Sequence, residues 1–167
     1  KSAVFFLLGA NLEARLKATN AASLATTYAG QCVAAHGWSH VSHASGDQWQ
    51  NSVIRTHVLL NTIFAPFSSQ ILPLFRPPYG QRKADSGAFF KAQSLQVALW
   101  NLDSQDWNAQ VSADDVVNRM LTLMLIKRHG VMLFHDIQPK ANSALPSMFD
   151  ALGSSVKWGE CGELGKP

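Results

Sequence analysis

The chain has 167 residues, 47% hydrophobic and 15% charged, which suits one compact globular domain and excludes a disordered or fibrous polymer. Its formal net charge of +3 is scattered along the sequence, without the continuous basic stripe that a nucleic-acid surface requires. No apolar run approaches the roughly 20 residues of a membrane span, and no secretory signal is visible.

Ala3 to Leu8 is an unbroken apolar run halted by Gly9, the pattern of a strand buried on both faces in a parallel sheet. Such a strand needs neighbours on both sides, and only Lys1 and Ser2 precede it. The expectation is therefore that the first strand of the domain is absent from this sequence. An alanine-rich helix is expected from Glu13 to Tyr28, then a short strand from Cys32 to Ala35. A helix from Asp47 to Phe64 places Val53, His57, Leu60 and Phe64 on one stripe. A strand at Leu74-Phe75 leads into Arg76-Pro77-Pro78-Tyr79-Gly80, followed by a helix from Ser86 to Ala92 and a strand from Val97 to Leu102.

The next helix is the best marked. Ser112 and Asp115 form a capping-box start, Lys127-Arg128-His129 suit the negative end of the helix dipole, and Gly130 supplies the stop. A strand from Val131 to Phe134 and a helix from Asn142 to Leu152 complete the pattern. Strands alternating with helices imply a parallel α/β fold, barrel or doubly wound, and the five strands expected are few for a closed barrel. No repeat or linker divides the chain, so residues 1–167 are read as a single domain. Cys32 and Cys161 have no metal-clip spacing and are read as two buried or idle thiols, a disulfide not being inferable without geometry.

In parallel α/β folds functional groups gather at the carboxyl ends of strands, and this sequence places its unusual residues there repeatedly. His36-Gly37-Trp38-Ser39-His40 follows the second strand, and its two imidazoles, four apart, can aim at one metal or serve as an ordinary structural pair. Arg76 precedes two prolines that restrict the backbone and hold Tyr79 and Gly80 in a fixed turn, suited to an oxyanion or simply to the fold. Asp103 and Asp106 either cap their loop or orient a histidine. His135, which ends an apolar strand, is the natural partner and a candidate general acid.

In order and in kind these constellations resemble the motifs of the NodB-homology, or carbohydrate esterase family 4, polysaccharide deacetylases. The resemblance covers most of the chain. Lys1 to Gly9 resembles the strand after the family's first motif, and His36 to His40 resembles the second motif, with Gly37 where Ser or Thr is usual. Arg76 to Gly80 resembles the third, Asp103 to Trp107 the fourth, and Leu133-Phe134-His135-Asp136 the fifth. The resemblance implies a NodB-type distorted (β/α) barrel, incomplete at its N-terminus, and removal of N- or O-acetyl groups from an acetylated polysaccharide or oligosaccharide. It implies that His36 and His40 hold a divalent metal, commonly zinc. Arg76 would orient a catalytic-base aspartate, the Tyr79 N–H would help hold the oxyanion, and Asp106 would tune His135, the acid. Trp107 and Leu133 would shape the pocket for the acetyl methyl group. Family habit implies a secreted or cell-envelope setting.

One departure matters. The family's Thr-Phe-Asp-Asp-Gly run, which supplies the base and a third metal ligand, has no counterpart here. The only adjacent aspartates, Asp114-Asp115, sit at a helix start and read as capping residues. His43 and Asp47 lie near enough in sequence to be weighed as a third ligand, but nothing in their spacing selects them. The sequence is thus expected to be a truncated deacetylase with little activity alone, completed by a missing N-terminal segment. A non-catalytic carbohydrate-binding or regulatory module of the same fold is the alternative, and a different metal hydrolase on a similar fold is weakened by the full order of motifs.

Overall fold

A computed structural model describes residues 1–44, 48–67 and 70–164. The chain divides into two compact units, one made of Lys1–Ala98 with Trp158–Pro167 and the other of Leu99–Lys157.

In the first unit β1 (Val4–Leu7), β2 (Cys32–Ala35), β3 (Gln70–Phe75) and β4 (Gln96–Val97) form one parallel sheet in chain order. Side chains alternate across a strand, so Val33 and Ala35 turn to one face and Ala34 to the other. Onto the first face pack α1 (Gly9–Ala18), α2 (Ala21–Thr27), α3 (Trp49–Phe64) and α4 (Gly87–Ala92), through Leu12, Leu24, Val53, Leu60, Phe64 and Phe90. The expected stripe of α3 is met at Val53, Leu60 and Phe64, each fully buried and each stabilising the fold by about 1.5–3 kcal/mol. His57, on the same stripe, is half-buried, and its Nδ1 finds no hydrogen-bond partner.

Ala34, Leu74 and Ala98 form a smaller cluster on the opposite face with Val4, Phe6 and Leu72. Leu164 covers it, brought back by the C-terminal segment. That segment is held by a disulfide between Cys161 and Cys32. The Cys161 N–H also donates to Ser2 Oγ at 2.8 Å, and the Ser2 hydroxyl donates to Glu160 at 2.7 Å. The reading of two thiols is thereby corrected: the segment after residue 157 returns to the start of β2, which no local pattern announces.

In the second unit β5 (Leu102–Asp103) and β6 (Met132–Leu133) pair in parallel, Asp103 opposite Leu133. There α5 (Ala113–Lys127) packs against α6 (Pro139–Leu152). The Ser112–Asp115 capping box forms as expected. Among the described residues no helix is long and apolar enough to cross a membrane.

Several boundaries differ for physical reasons. The helix expected over Glu13 to Tyr28 is broken at Thr19-Asn20. The Thr19 hydroxyl turns back to the Arg15 carbonyl, and Asn20 caps a new helix by accepting the Ser23 N–H at 2.8 Å. The strand expected over Val97 to Leu102 becomes two strands in separate sheets, giving six strands among the described residues in place of five. Between them Asn101 is tied to Val131, its N–H donating to the Val131 carbonyl at 3.2 Å and its side chain accepting the Val131 N–H at 2.8 Å. α5 is stopped by Arg128 in the left-handed region, φ 66°, rather than by Gly130. Gly130 instead allows close approach, since a Cβ there would fall 2.3 Å from the Asn101 side chain. β1 pairs with β2 alone among the described residues and is half-buried throughout, where a fully buried strand was expected.

Candidate active site

In the first unit the second and third motifs meet at the carboxyl ends of β2 and β3. His36 continues β2, its N–H bonded to the Leu7 carbonyl at 3.0 Å, and Arg76 continues β3, its N–H bonded to the Ala35 carbonyl at 3.0 Å. The His36 ring reaches across, Nδ1 lying 2.6 Å from the Arg76 carbonyl. A carbonyl only accepts, so Nδ1 carries the proton and Nε2 keeps the lone pair, the tautomer a metal-binding imidazole needs. The His40 ring stands edge-on to that of His36 at 5.1 Å, and to that of Tyr79 at 4.5 Å.

Tyr79 occupies the left-handed region at φ 58°, inside the 3₁₀ turn Pro78–Gly80. That turn is closed by the Gly80 and Gln81 N–H groups, onto the Pro77 and Pro78 carbonyls at 2.9 and 3.1 Å. The Tyr79 N–H is left out of that pattern, and its side chain is 62% exposed. The Arg76 guanidinium is buried 4.1 Å over the Phe6 ring, with Nε donating to the Ala98 carbonyl at 3.4 Å. Burial pushes its pKa down to about 10, which leaves it cationic at neutral pH.

Gly37, where the family pattern has Ser or Thr, has φ 89°, and a Cβ there would lie 3.1 Å from the His43 ring. His43 explains that departure. It is 1% exposed and stacked on Phe75 at 5.3 Å, with Nε2 3.5 Å from Ser52 Oγ and Nδ1 without a partner. Burial lowers its pKa. His43 therefore belongs to the core and is no third ligand, while Asp47 lies outside the described residues. The tautomer of His36 and the nearness of His40 fit two positions of a metal site. Among the described residues no group of three or more His, Cys, Asp or Glu gathers as a full ligand set.

The second unit holds the fourth and fifth motifs. Asp106 is fully buried and takes two bonds from His135, from Nδ1 at 2.7 Å to Oδ1 and from the backbone N–H at 2.6 Å to Oδ2. Burial alone would raise the Asp106 carboxyl. The His135 ring and backbone N–H, the His135 charge and the Ser104 hydroxyl outweigh it and hold the group below the ordinary carboxylate range. The carboxylate consequently fixes the Nδ1–H form of His135 and leaves Nε2 as the atom that exchanges a proton. Asp103 has a different task. It accepts the Gln105 N–H at 2.9 Å and the indole N–H groups of Trp100 and Trp107 at 3.1 and 3.3 Å, so it shapes the loop. Trp107 is 53% exposed, and Leu133 is buried in β6.

Sequence reasoning missed the supports of this loop. Arg119 Nε donates to the Asp103 carbonyl at 2.7 Å, and Lys140 Nζ bonds the Asn108 and Val111 carbonyls, each at 2.6 Å. Ser104 sits two residues before Asp106, a spacing at which a hydroxyl commonly bonds the backbone, and that signal was present in the sequence.

No family model matches the chain. It is 32% identical over 97 residues, 58% of its length, to a bifunctional xylanase/xylan deacetylase of Cellvibrio japonicus, and 31% identical over 114 residues, 64% of its length, to chitin deacetylase 1 of Saccharomyces cerevisiae. The chain spans 14% and 36% of those relatives. Among solved structures it is similar to a family 4 carbohydrate esterase from Streptomyces lividans, in complex with acetate. The TM-score is 0.70 and the identity 26%, covering 92% of this chain and 75% of that one. In fold alone it is similar to a family 4 pseudoenzyme from Bacillus anthracis, with a TM-score of 0.74 and 19% identity over 92% of this chain and 51% of that one. The fold shared with these neighbours is of the NodB type, α/β with parallel strands, and neither sheet closes on itself.

Proposed function

We propose that the chain is a deacetylase domain of the NodB-homology, or carbohydrate esterase family 4, type, and that it serves the metal-dependent removal of N- or O-acetyl groups from a polysaccharide or oligosaccharide. The observation that carries this reading is the buried, ionised Asp106 holding both the ring and the backbone N–H of His135. So held through Nδ1, His135 enters as the imidazolium, hands its Nε2 proton to the departing amine or alcohol and is left as the neutral Nδ1–H ring, while the proton of the attacking water goes to the separate base. His36 and His40 are the residues that would hold a divalent ion, zinc in kind, through ring nitrogens. When bound, such an ion supplies a polarised acetyl carbonyl and a more acidic water. The Tyr79 N–H is the donor for the developing oxyanion, Arg76 orients the base, and Trp107 with Leu133 receives the acetyl methyl group. The two units are parts of one NodB-type domain.

Turnover by these 167 residues alone is expected to be low, because no carboxylate gathers with His36 and His40 among the described residues. The same observation, with a pseudoenzyme among the fold neighbours, favours a second reading as a carbohydrate-binding module without chemistry. The Cys32–Cys161 disulfide supports an oxidising compartment, secreted or cell-envelope.

Acetate release from acetylated chito- and xylo-oligosaccharides, with zinc supplied, tests the proposal. In a protein that turns over, His135→Ala should reduce the rate by about 10²–10⁴-fold with bound zinc unchanged. His40→Ala should lower zinc content first. Loss of zinc from the His135 variant would move that residue into the ligand set, and glycan binding with no acetate release in any context would favour the module.

A further inference from the structure

We infer that Ser104 is a positioning residue for the Asp106–His135 pair, a role that rests on the reading of His135 as the acid. Ser104 follows β5 and is fully buried. Its N–H donates to the Leu133 carbonyl at 3.3 Å, tying the loop to β6, and its Oγ accepts the Asp106 N–H at 3.2 Å. The Ser104 hydroxyl also acts on the Asp106 carboxyl, holding it toward the ionised form.

A hydroxyl offers one donor and two acceptor sites, so the Oγ that accepts the Asp106 N–H still has a proton to offer. The hydrogen bond to the Asp106 backbone sets where the carboxylate stands, and the O–H opposes the burial that would otherwise load it with a proton. A protonated Asp106 would be a poor acceptor for the His135 Nδ1–H, and the ring would be free to take the other tautomer. Neighbouring supports cannot substitute. Asp103 takes the Gln105 N–H, and Arg119 bonds the Asp103 carbonyl, so neither reaches Asp106. The arrangement is specific to a small hydroxyl, because an apolar residue would leave the buried Asp106 N–H unsatisfied.

The test follows the Asp106 carboxyl carbon and the His135 ring nitrogens by NMR across pH in the full chain. Wild-type protein should show Asp106 ionised well into acid and a single Nδ1–H tautomer for neutral His135. Ser104→Ala should move the Asp106 transition up by about one pH unit, the equivalent of about a tenfold loss in holding the charge, and mix the tautomers. Ser104→Thr, which keeps the hydroxyl, should restore both. An Asp106 transition and tautomer unchanged in Ser104→Ala would overturn the inference. Should that variant not fold, the wild-type Ser104 hydroxyl proton decides. Slow exchange with a correlation to Asp106 supports the role, and exchange as fast as a surface serine refutes it. Neither readout requires turnover. The expected shift in a protein that deacetylates nothing counts against the proposed function alone, and no shift in an active one counts against Ser104 alone.

Discussion

His43 shows what a single residue can cost. Its ring is stacked on Phe75 beneath Gly37, with a buried Nδ1 that nothing satisfies. An unsatisfied buried polar atom costs about 1–3 kcal/mol, and the low dielectric around it lowers its pKa. The sign of the pH effect follows. The unfolded chain takes up this proton below about pH 6.5, while the folded chain resists, so stability is full above that value and falls as acid is added. His57, whose pKa burial also lowers, adds to the same slope. The melting temperature should therefore drop by roughly several degrees between about pH 7.5 and about pH 5. His43→Leu should raise it and flatten most of that slope. Calorimetry that finds the slope intact in the variant would show that His43 is not its source.

Elements are ended here by single side chains, one following its intrinsic preference and one going against it. Asn20 stops one helix to start another, and Arg128 adopts a left-handed backbone at the C-cap of α5, a conformation that glycine reaches without a Cβ penalty. Arg128→Gly should thus stabilise the fold by about 1 kcal/mol, read from the denaturant midpoint at unchanged slope. A fall in the midpoint would mean that the arginine side chain holds more than its backbone loses. The loop from Asp103 to Trp107 is a stronger case, closed by side-chain bonds from Asp103 to Gln105 and from Ser104 to Asp106, with Gln105 at φ 59°. It is a rigid mount for one carboxylate.

At the scale of the molecule, what could be read in the sequence was what neighbours in sequence decide. The Ser112–Asp115 box, the stripe of α3 and the turn after Arg76 all depend on contacts a few residues apart. His135 could be matched to Asp106 because motif order brings strand ends together. The split of the expected strand at Asn101 depends on Val131, the burial of His43 on Phe75, and the state of Cys32 on Cys161, and none of these partners is local. The disulfide is the extreme. It closes a loop across a separation of 129 residues, and by chain-entropy reasoning its loss should cost about 5 kcal/mol. Cys161→Ala should accordingly lower the denaturant midpoint sharply, and a midpoint close to wild type would mean that the reduced chain stays compact. The same separation sets an order of events during synthesis. At about 5–20 residues per second, Cys32 leaves the ribosome on the order of ten seconds before the residue it must join. For that interval β2 starts with an unpaired thiol that an earlier oxidant or a wrong partner can claim, and the strap that fastens the sheet cannot be tied until all the intervening chain has been made.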